Sequence, residues 1–354
     1  MKVGKYFRII VVILGFLFLI LLTYFFVRYY SKSKFYSCIS LELKDIIPSD
    51  SIGNPVDLIC VGKYLILLDN HPIKGRGKIQ VFDKRSLKFI SSSGYYGSGP
   101  GELTSPIGLN NIPNDSTKFS IYDLALKRLT IYEIKNGEVK VNNMITLKHG
   151  LPYFPVVIDT LIFSLDFNLE DSRISVYNME GNYIKSIGKL LPGLKKGVPA
   201  RIHTHASQGR LRATPDGRFL VVVAVYSDII DIYDREGNLI KRFHGPLNVT
   251  PIYNVATNNG VPIMAVDIEK AIWGYINVSL TENYIYARFT GEKFKERADG
   301  KYIHVYDYNG KFLKCFKFDR NVFEAVFDPE TRRFFTFQLY PQPLILAYEI
   351  PREK

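Results

Sequence analysis

Short runs of alternating apolar and polar residues recur along the chain, and three read almost alike. They are ISVYNMEGNYIKSIG (174–188), IDIYDREGNLIKRFHG (230–245) and IHVYDYNGKFLKCFKF (303–318). Each is an alternating strand, then an acid or Asn, a turn containing Gly, and a second alternating strand. That is a β-hairpin whose glycine supplies the positive φ of the loop. Weaker copies stand at IQVFDKRSLKFISSSG (79–94) and LTIYEIKNGEVKVNNMITL (129–147), and a partial one at LILAYEI (344–350).

The anchoring aromatic and its polar follower are Phe82-Asp83, Tyr132-Glu133, Tyr177-Asn178, Tyr233-Asp234, Tyr306-Asp307 and Tyr348-Glu349. Successive anchors are 50, 45, 56, 73 and 42 residues apart. Upstream of each lies another strand pair, such as VDLICVGKYLILLD or LRATPDGRFLVVVAVY. Four short antiparallel strands repeated every ~40–50 residues mark a β-propeller. Six copies predict an all-β, six-bladed β-propeller over residues 37–350. A two-domain β-sandwich also has short strands and regular turns, but it does not explain six similar anchors.

The sixth copy stops after its third strand. SCISLELKDI (37–46) is left over near the start and is expected to complete the last blade as its outer strand. Closure of that kind leaves no open edge between first and last blades. With strands lettered a to d from the axis outward, the a–b and c–d hairpins are short and share one face. The long connections share the other, and function on rigid scaffolds concentrates in such loops. The long-loop face is therefore the expected binding face.

Ahead of the repeats, residues 9–27 (IIVVILGFLFLILLTYFFV) carry no charge, long enough as a helix to span the ~30 Å hydrocarbon layer. A short basic terminus (1–8) precedes this stretch, and a linker (28–36) follows. Arg28-Tyr29-Tyr30 ends it like a membrane-interface girdle rather than a cleavage site. An uncleaved signal anchor is expected, with a cleaved signal as the alternative. Lysines and arginines flank the segment evenly, so the charge rule casts no vote. A short basic N-terminus ordinarily stays cytoplasmic, which makes the chain a single-pass cell-membrane protein with its propeller outside the cytoplasm, in the periplasm.

Composition changes this picture little. The 354 residues are 47% hydrophobic and carry a net charge of +12. Six of the 46 basic residues and none of the 34 acidic ones lie in residues 1–34. No basic block or recognition helix stands out, so nucleic acid is not an expected partner. Cys38, Cys60 and Cys315 are odd in number and far apart, which implies neither a disulfide framework nor a zinc site.

Candidate ligand-binding residues on the long-loop face are Arg76, Arg201, Arg210 and Arg288 with His203, His205, Trp273 and Tyr275. Basic and aromatic groups around a funnel suit an anionic or glycan ligand, or an acidic protein surface of the envelope. His203 and His205, read as an extended segment, point to one side and form the one metal-like pair. Neighbouring Lys195, Lys196 and Arg201 would repel a cation, so no metal or other cofactor is expected. No GxSxG motif or Cys/His nucleophile pairing appears. Most Asp and Glu fall at turn positions.

GSGPGEL (97–103) lacks the Gly-Lys-Ser/Thr of a phosphate-binding loop, and Glu102 stands where a dinucleotide fingerprint needs its third glycine. Its expected place is the junction of blades one and two, with the amides of Gly99 and Gly101, and Glu102, at the lip of the central funnel. This loop, YSDIIDIYDREGNLIKRF (226–243) and YIYARFTG (284–291) with IHVYDYNGKFLK (303–314) resemble the TolB-like six-bladed propeller family of bacterial envelope proteins. The resemblance covers most of residues 40–350. It implies the fold and an envelope location but no reaction. Many members resemble lipoproteins; this chain lacks a lipobox, so lipid anchoring is not carried over. The leading expectation is a non-enzymatic module that binds a ligand or protein. The alternative is a lactonase-like propeller hydrolase or lyase with a divalent cation at the central channel.

Overall fold

The computed structural model describes residues 14–23, 37–194 and 196–351. Residues 14–23 are helical. The rest of the expected 9–27 span, the 1–8 terminus and the 28–36 linker lie outside the described residues. Among the described residues no helix is long and apolar enough to cross a membrane.

Six antiparallel blades follow. Blade 1 comprises Pro55–Val61, Tyr64–Asp69, Ile79–Asp83 and Phe89–Ser93; blade 2 comprises Pro106–Ile112, Asp115–Asp123, Arg128–Lys135 and Glu138–Thr146. Blade 3 is Pro152–Ile158, Leu161–Asp166, Ser172–Asn178 and Tyr183–Lys189, and blade 4 is Gly209–Ala213, Phe219–Ala224, Ile229–Asp234 and Leu239–His244. Blade 5 is Tyr275–Leu280, Ile285–Phe289, Gly300–Tyr306 and Phe312–Val322. Blade 6 has Glu324–Asp328, Arg333–Gln338 and Leu344–Glu349, and takes Glu42–Ile47 as its outer strand. The inner strands adjoin in a ring, first beside sixth, so blades 1 and 4 face each other across the axis.

The second strands, such as YLILLD, have apolar, buried middles because both of their faces are covered. Leu65 and Leu67 pack with Phe335 and Ile345 of blade 6, whereas Ile66 and Leu68 pack with Leu109 and Ile121 of blade 2. The two-residue period of a strand thus divides its side chains between two seams. Six such seams form the core, and each anchoring aromatic from Phe82 to Tyr348 is fully buried in one. The polar follower closes the outer turn. Asp83, Asn178, Asp234 and Asp307 each accept backbone N–H bonds from the residues just beyond them. Gly181, Gly237 and Gly310 sit in those turns at φ +75°, +92° and +80°, where a side chain would be strained.

A second repeated carboxylate lies at the long-loop end of the second strand. Buried Asp69 accepts from the Gly53 and Asn54 amides at 2.8 and 2.7 Å, and Asp123 accepts from Thr104 and Ser105 at 2.6 and 3.0 Å. Each fixes the backbone that leads into the inner strand of its own blade. These acids are not at hairpin turns, contrary to the expectation for most carboxylates.

Two segments were not legible as elements. The connection between blades 3 and 4 carries a helix, Ala200–Ala206, and that between blades 4 and 5 carries a hairpin, Tyr253–Asn258 with Val261–Val266. They account for the wide anchor spacings. The closing segment also divides: Glu42–Ile47 completes blade 6, but Cys38–Ser40 runs parallel to Phe312–Val322 on blade 5. There Cys38 and Cys315 form a disulfide across 277 residues of sequence. The expectation that the cysteines form no bridge fails because Cys38 comes beside Cys315 only once the ring has closed.

Opening that bridge with Cys38→Ala/Cys315→Ala should cost about 2–4 kcal/mol, since it removes the constraint on a long loop of the unfolded chain. Urea unfolding of parent and variant, each with and without reductant, measures it. Equal midpoints for all four would show that the bridge contributes nothing.

Candidate functional site at the propeller axis

Inner strands present their residues to the axis, and those of blades 1, 4 and 6 carry charges there. Asp57 lies in the inner strand of blade 1, and Arg210 and Arg212 lie two apart in that of blade 4. Asp57 is 0% exposed. Its carboxylate accepts from the Leu58 and Leu109 amides at 2.9 and 2.7 Å, from Arg210, and from Arg212 at 3.2 Å through both oxygens. Arg212 also donates to the Leu109 carbonyl and, at 2.7 Å, to Asn110 Oδ1. Asn110 Nδ2 donates to the Pro155 carbonyl at 3.0 Å. Blades 1, 2, 3 and 4 are thereby bridged across the channel.

Arg210 lies over the Phe154 ring at 3.8 Å, a cation–π contact. Gly108, at φ +70°, makes room for it: a Cβ there would stand 2.6 Å from the Phe154 ring. Arg288 of blade 5 is fully buried and donates to the Ala298 carbonyl at 3.0 Å. Glu324 begins the inner strand of blade 6, and its buried Oε2 has no hydrogen-bond partner. Burial pulls Arg212 and Arg288 down to about 10. Burial also pushes the Glu324 carboxyl up to about 7, with Asp57 adding to the rise and Arg210, Arg288 and Arg212 opposing it. Arg210, Arg212 and Arg288 stand against Asp57, Glu324 and the buried Asp299 beside Arg288, so the middle of the axis is positive while Glu324 holds its proton.

On the short-hairpin side of this plug the channel opens into a cavity of about 520 Å³. Its wall mixes apolar residues, including Leu58, Cys60, Ala213, Leu280, Val326 and Phe327, with polar ones, including Asn110, Arg212, Asn277 and Ser279. Ser279 Oγ accepts from the Phe327 amide at 3.0 Å. Asn277 is 3% exposed, yet its carboxamide makes no hydrogen bond to any described residue. At the rim the Asn114 amide donates to the Pro215 carbonyl at 2.8 Å, joining the hairpins of blades 2 and 4 over the end of blade 3. Cys60 is the free cysteine; burial pushes its thiol well up, which keeps it protonated and a poor nucleophile.

A family model described as TolB-like 6-blade propeller-like matches residues 31–329. The chain belongs to this family. No curated protein matches the sequence. Among solved structures, the β-propeller domain of Cps50 (Swd1) from Myceliophteria thermophila is similar over 88% of this chain and 100% of that one, at 9% identity and a TM-score of 0.49.

Several candidate residues of this TolB-like propeller occupy other surroundings than expected. GSGPGEL closes on itself. The Glu102 carboxylate accepts from the Gly99 amide at 2.8 Å, while Arg128 takes the Ser98, Gly99 and Glu102 carbonyls at 2.8, 3.2 and 2.5 Å. A side chain on Gly101 would meet Val141 in the outer strand of blade 2, so the loop lies over outer strands and not at the funnel lip. Arg76 donates to the Ser51 carbonyl at 2.6 Å and covers Phe89, tying the closing segment to blade 1. Arg201 is exposed on the Ala200–Ala206 helix.

His203 and His205 share that helix, where residues two apart point to nearly opposite sides. The extended geometry expected for them does not form, and His205 meets the Phe167 ring instead. Burial, and secondarily Arg201, lowers its pKa. Trp273 is half-buried between Tyr226 and Phe294 and donates to the Glu296 carbonyl at 3.0 Å. Tyr275 is not a surface residue: its hydroxyl lies 2.7 Å from Tyr306 and 3.0 Å from His304 in the core. Arg288 is likewise interior, and Lys195 lies outside the described residues.

Among the described residues no group of three or more His, Cys, Asp or Glu is placed to hold a metal. At the channel, where a lactonase-like cation would sit, Asp57 is engaged by arginines. That donor set does not fit a divalent ion.

Asp57→Asn should destabilise the fold by about 3–5 kcal/mol by leaving Arg210 and Arg212 without their counter-charge. Denaturant unfolding of the full chain tests this; a loss below the level of a surface substitution would remove the plug from the stability account. Glu324 predicts a pH signature. Its folded-state pKa is raised, so the native chain binds more protons between about 4.5 and about 7, and stability falls as pH rises through that window. Glu324→Gln should flatten this slope in unfolding curves taken on either side of it. An unchanged slope would mean that Glu324 ionises in the fold as it does in water.

Proposed function

We propose that this TolB-like propeller is a membrane-anchored binding protein that acts outside the cytoplasm and takes a small ligand in its axial cavity. The observation that carries this reading is a chamber closed at one end by an arginine-rich plug and lined by apolar and polar residues together. Ligand pockets combine these features at volumes of roughly 300–1,000 Å³. The chemistry around the cavity favours binding over catalysis: Cys60 on the lining is protonated, and Asp57 in the plug is engaged by two arginines. A cation-dependent lactonase activity is disfavoured by the guanidiniums at the axis.

The uncharged 9–27 stretch supports the anchor, as do the exposed apolar side chains of residues 14–22. The Cys38–Cys315 bridge supports an oxidising compartment. A second reading keeps the long-loop face as a partner surface; the half-buried rings of Tyr226, Trp273 and Phe294 favour it.

Ala213→Trp would fill the cavity from its wall. In full-length chain held in nanodiscs, the variant should keep a denaturation midpoint near that of the parent and lose fragment binding seen by ligand-detected NMR. Fragment binding that survives the block would refute the cavity as the site. For location, an alkaline phosphatase fusion after residue 36 should be active; an inactive fusion, with a cytoplasmic reporter active at the same point, would reverse the orientation.

A further inference from the structure

The innermost polar groups of the cavity define what they can bind. Asn110 and Asn277 both lie in inner strands and both are nearly buried, but only one is satisfied. Asn110 donates to the Pro155 carbonyl and accepts from Arg212. The Asn277 carboxamide, on the cavity lining, is not bonded to any described residue. Its amide is not sealed away from the cavity, so it is free to bond to whatever occupies that space, which a leucine of similar shape could not do.

Arg212 stands on the same lining, and its guanidinium spends its Nη1 and Nη2 donors on Leu109, Asn110 and Asp57. Its Nε–H makes no hydrogen bond to a described residue; unlike Arg210 Nε and Arg288 Nε, it is not sealed away from the cavity. The charge behind these groups is positive while Glu324 is protonated, since Arg210, Arg212 and Arg288 then face only Asp57 and Asp299. Of the acids on the lining, Asp328 is paired with Lys84 at 2.9 Å and Glu282 is exposed at the mouth. The plug ends the channel, so whatever enters terminates against these polar groups while its body rests on Leu58, Val326 and Phe327.

We propose, resting on the cavity reading above, that the ligand is a small molecule with an apolar body and a single carboxylate head. The head meets the Asn277 carboxamide and the Arg212 guanidinium. Asn277 is then a recognition residue whose amide faces the cavity and is left available for the ligand head.

Three probes of one shape test this on full-length chain in nanodiscs: phenylpropionate, phenylpropanol and phenylpropylamine, with affinities from ligand-detected NMR. The carboxylate should bind about 10-fold or more better than the alcohol, and the amine worst, as expected for one charge-assisted hydrogen bond. Asn277→Leu should remove that preference while unfolding no earlier than the parent. Asn277→Asp, which places a like charge at the head position, should invert it in favour of the amine. If the three probes bind alike and Ala213→Trp blocks all of them, the cavity remains a binding site and the carboxylate proposal fails. Asn277→Leu that unfolds earlier and keeps the preference assigns Asn277 to the fold and overturns its recognition role. If none of the probes binds the parent, the proposal and the cavity reading fall together.

Discussion

One carboxylate, Asp57, holds two guanidiniums from the opposite side of the ring, and this contact decides what kind of channel the propeller has. Without it the axis would be an open bore lined by six strands. With it the axis is divided into a sealed charged middle and a chamber open to one side. Asp57 is able to do this because it also accepts two backbone amides, which satisfy its remaining lone pairs and hold it in place. A buried ion pair alone adds little to stability. Here its structural effect is to join blades that share no seam.

The seams themselves follow from strand periodicity. Each second strand gives alternate side chains to the blade before and the blade after, so no blade owns a core of its own. A blade removed from the ring would expose both apolar faces. Ring closure is therefore a condition for burial, and the segment 37–47 is as much a part of the core-forming architecture as any blade. It pairs with blade 6 and reaches across to blade 5, where the disulfide fixes it.

The architecture was legible because its signals are local. The aromatic anchor, its polar follower and the turn glycine recur within a dozen residues, and in blades 3, 4 and 5 they have the same roles of buried ring, acceptor of turn amides and positive φ. The closing strand was legible as a leftover. The site was obscured because it is made of contacts across the ring: Arg210 and Asp57 are 153 residues apart in sequence. A signal existed in VDLICV, RLRA and YINVS, where a charged or amide residue interrupts an inner strand that packing would make apolar. Loop length pointed instead to the other face. There Glu102 takes the Gly99 amide of the glycine-rich loop, Arg128 takes its carbonyls, and the His-x-His segment winds into a helix.

The strand that completes blade 6 also orders events in time. Glu42–Ile47 is made about 300 residues before its partner Leu344–Glu349. At synthesis rates of ~5–20 residues per second the early strand waits roughly 15–60 s for a neighbour. Throughout that interval its edge is open, the kind of edge that recruits other chains. The chain lessens this hazard with its own composition: ELKDII is half charged and only its final residue is buried in the finished blade. A clasp that must wait has been kept polar enough to wait alone.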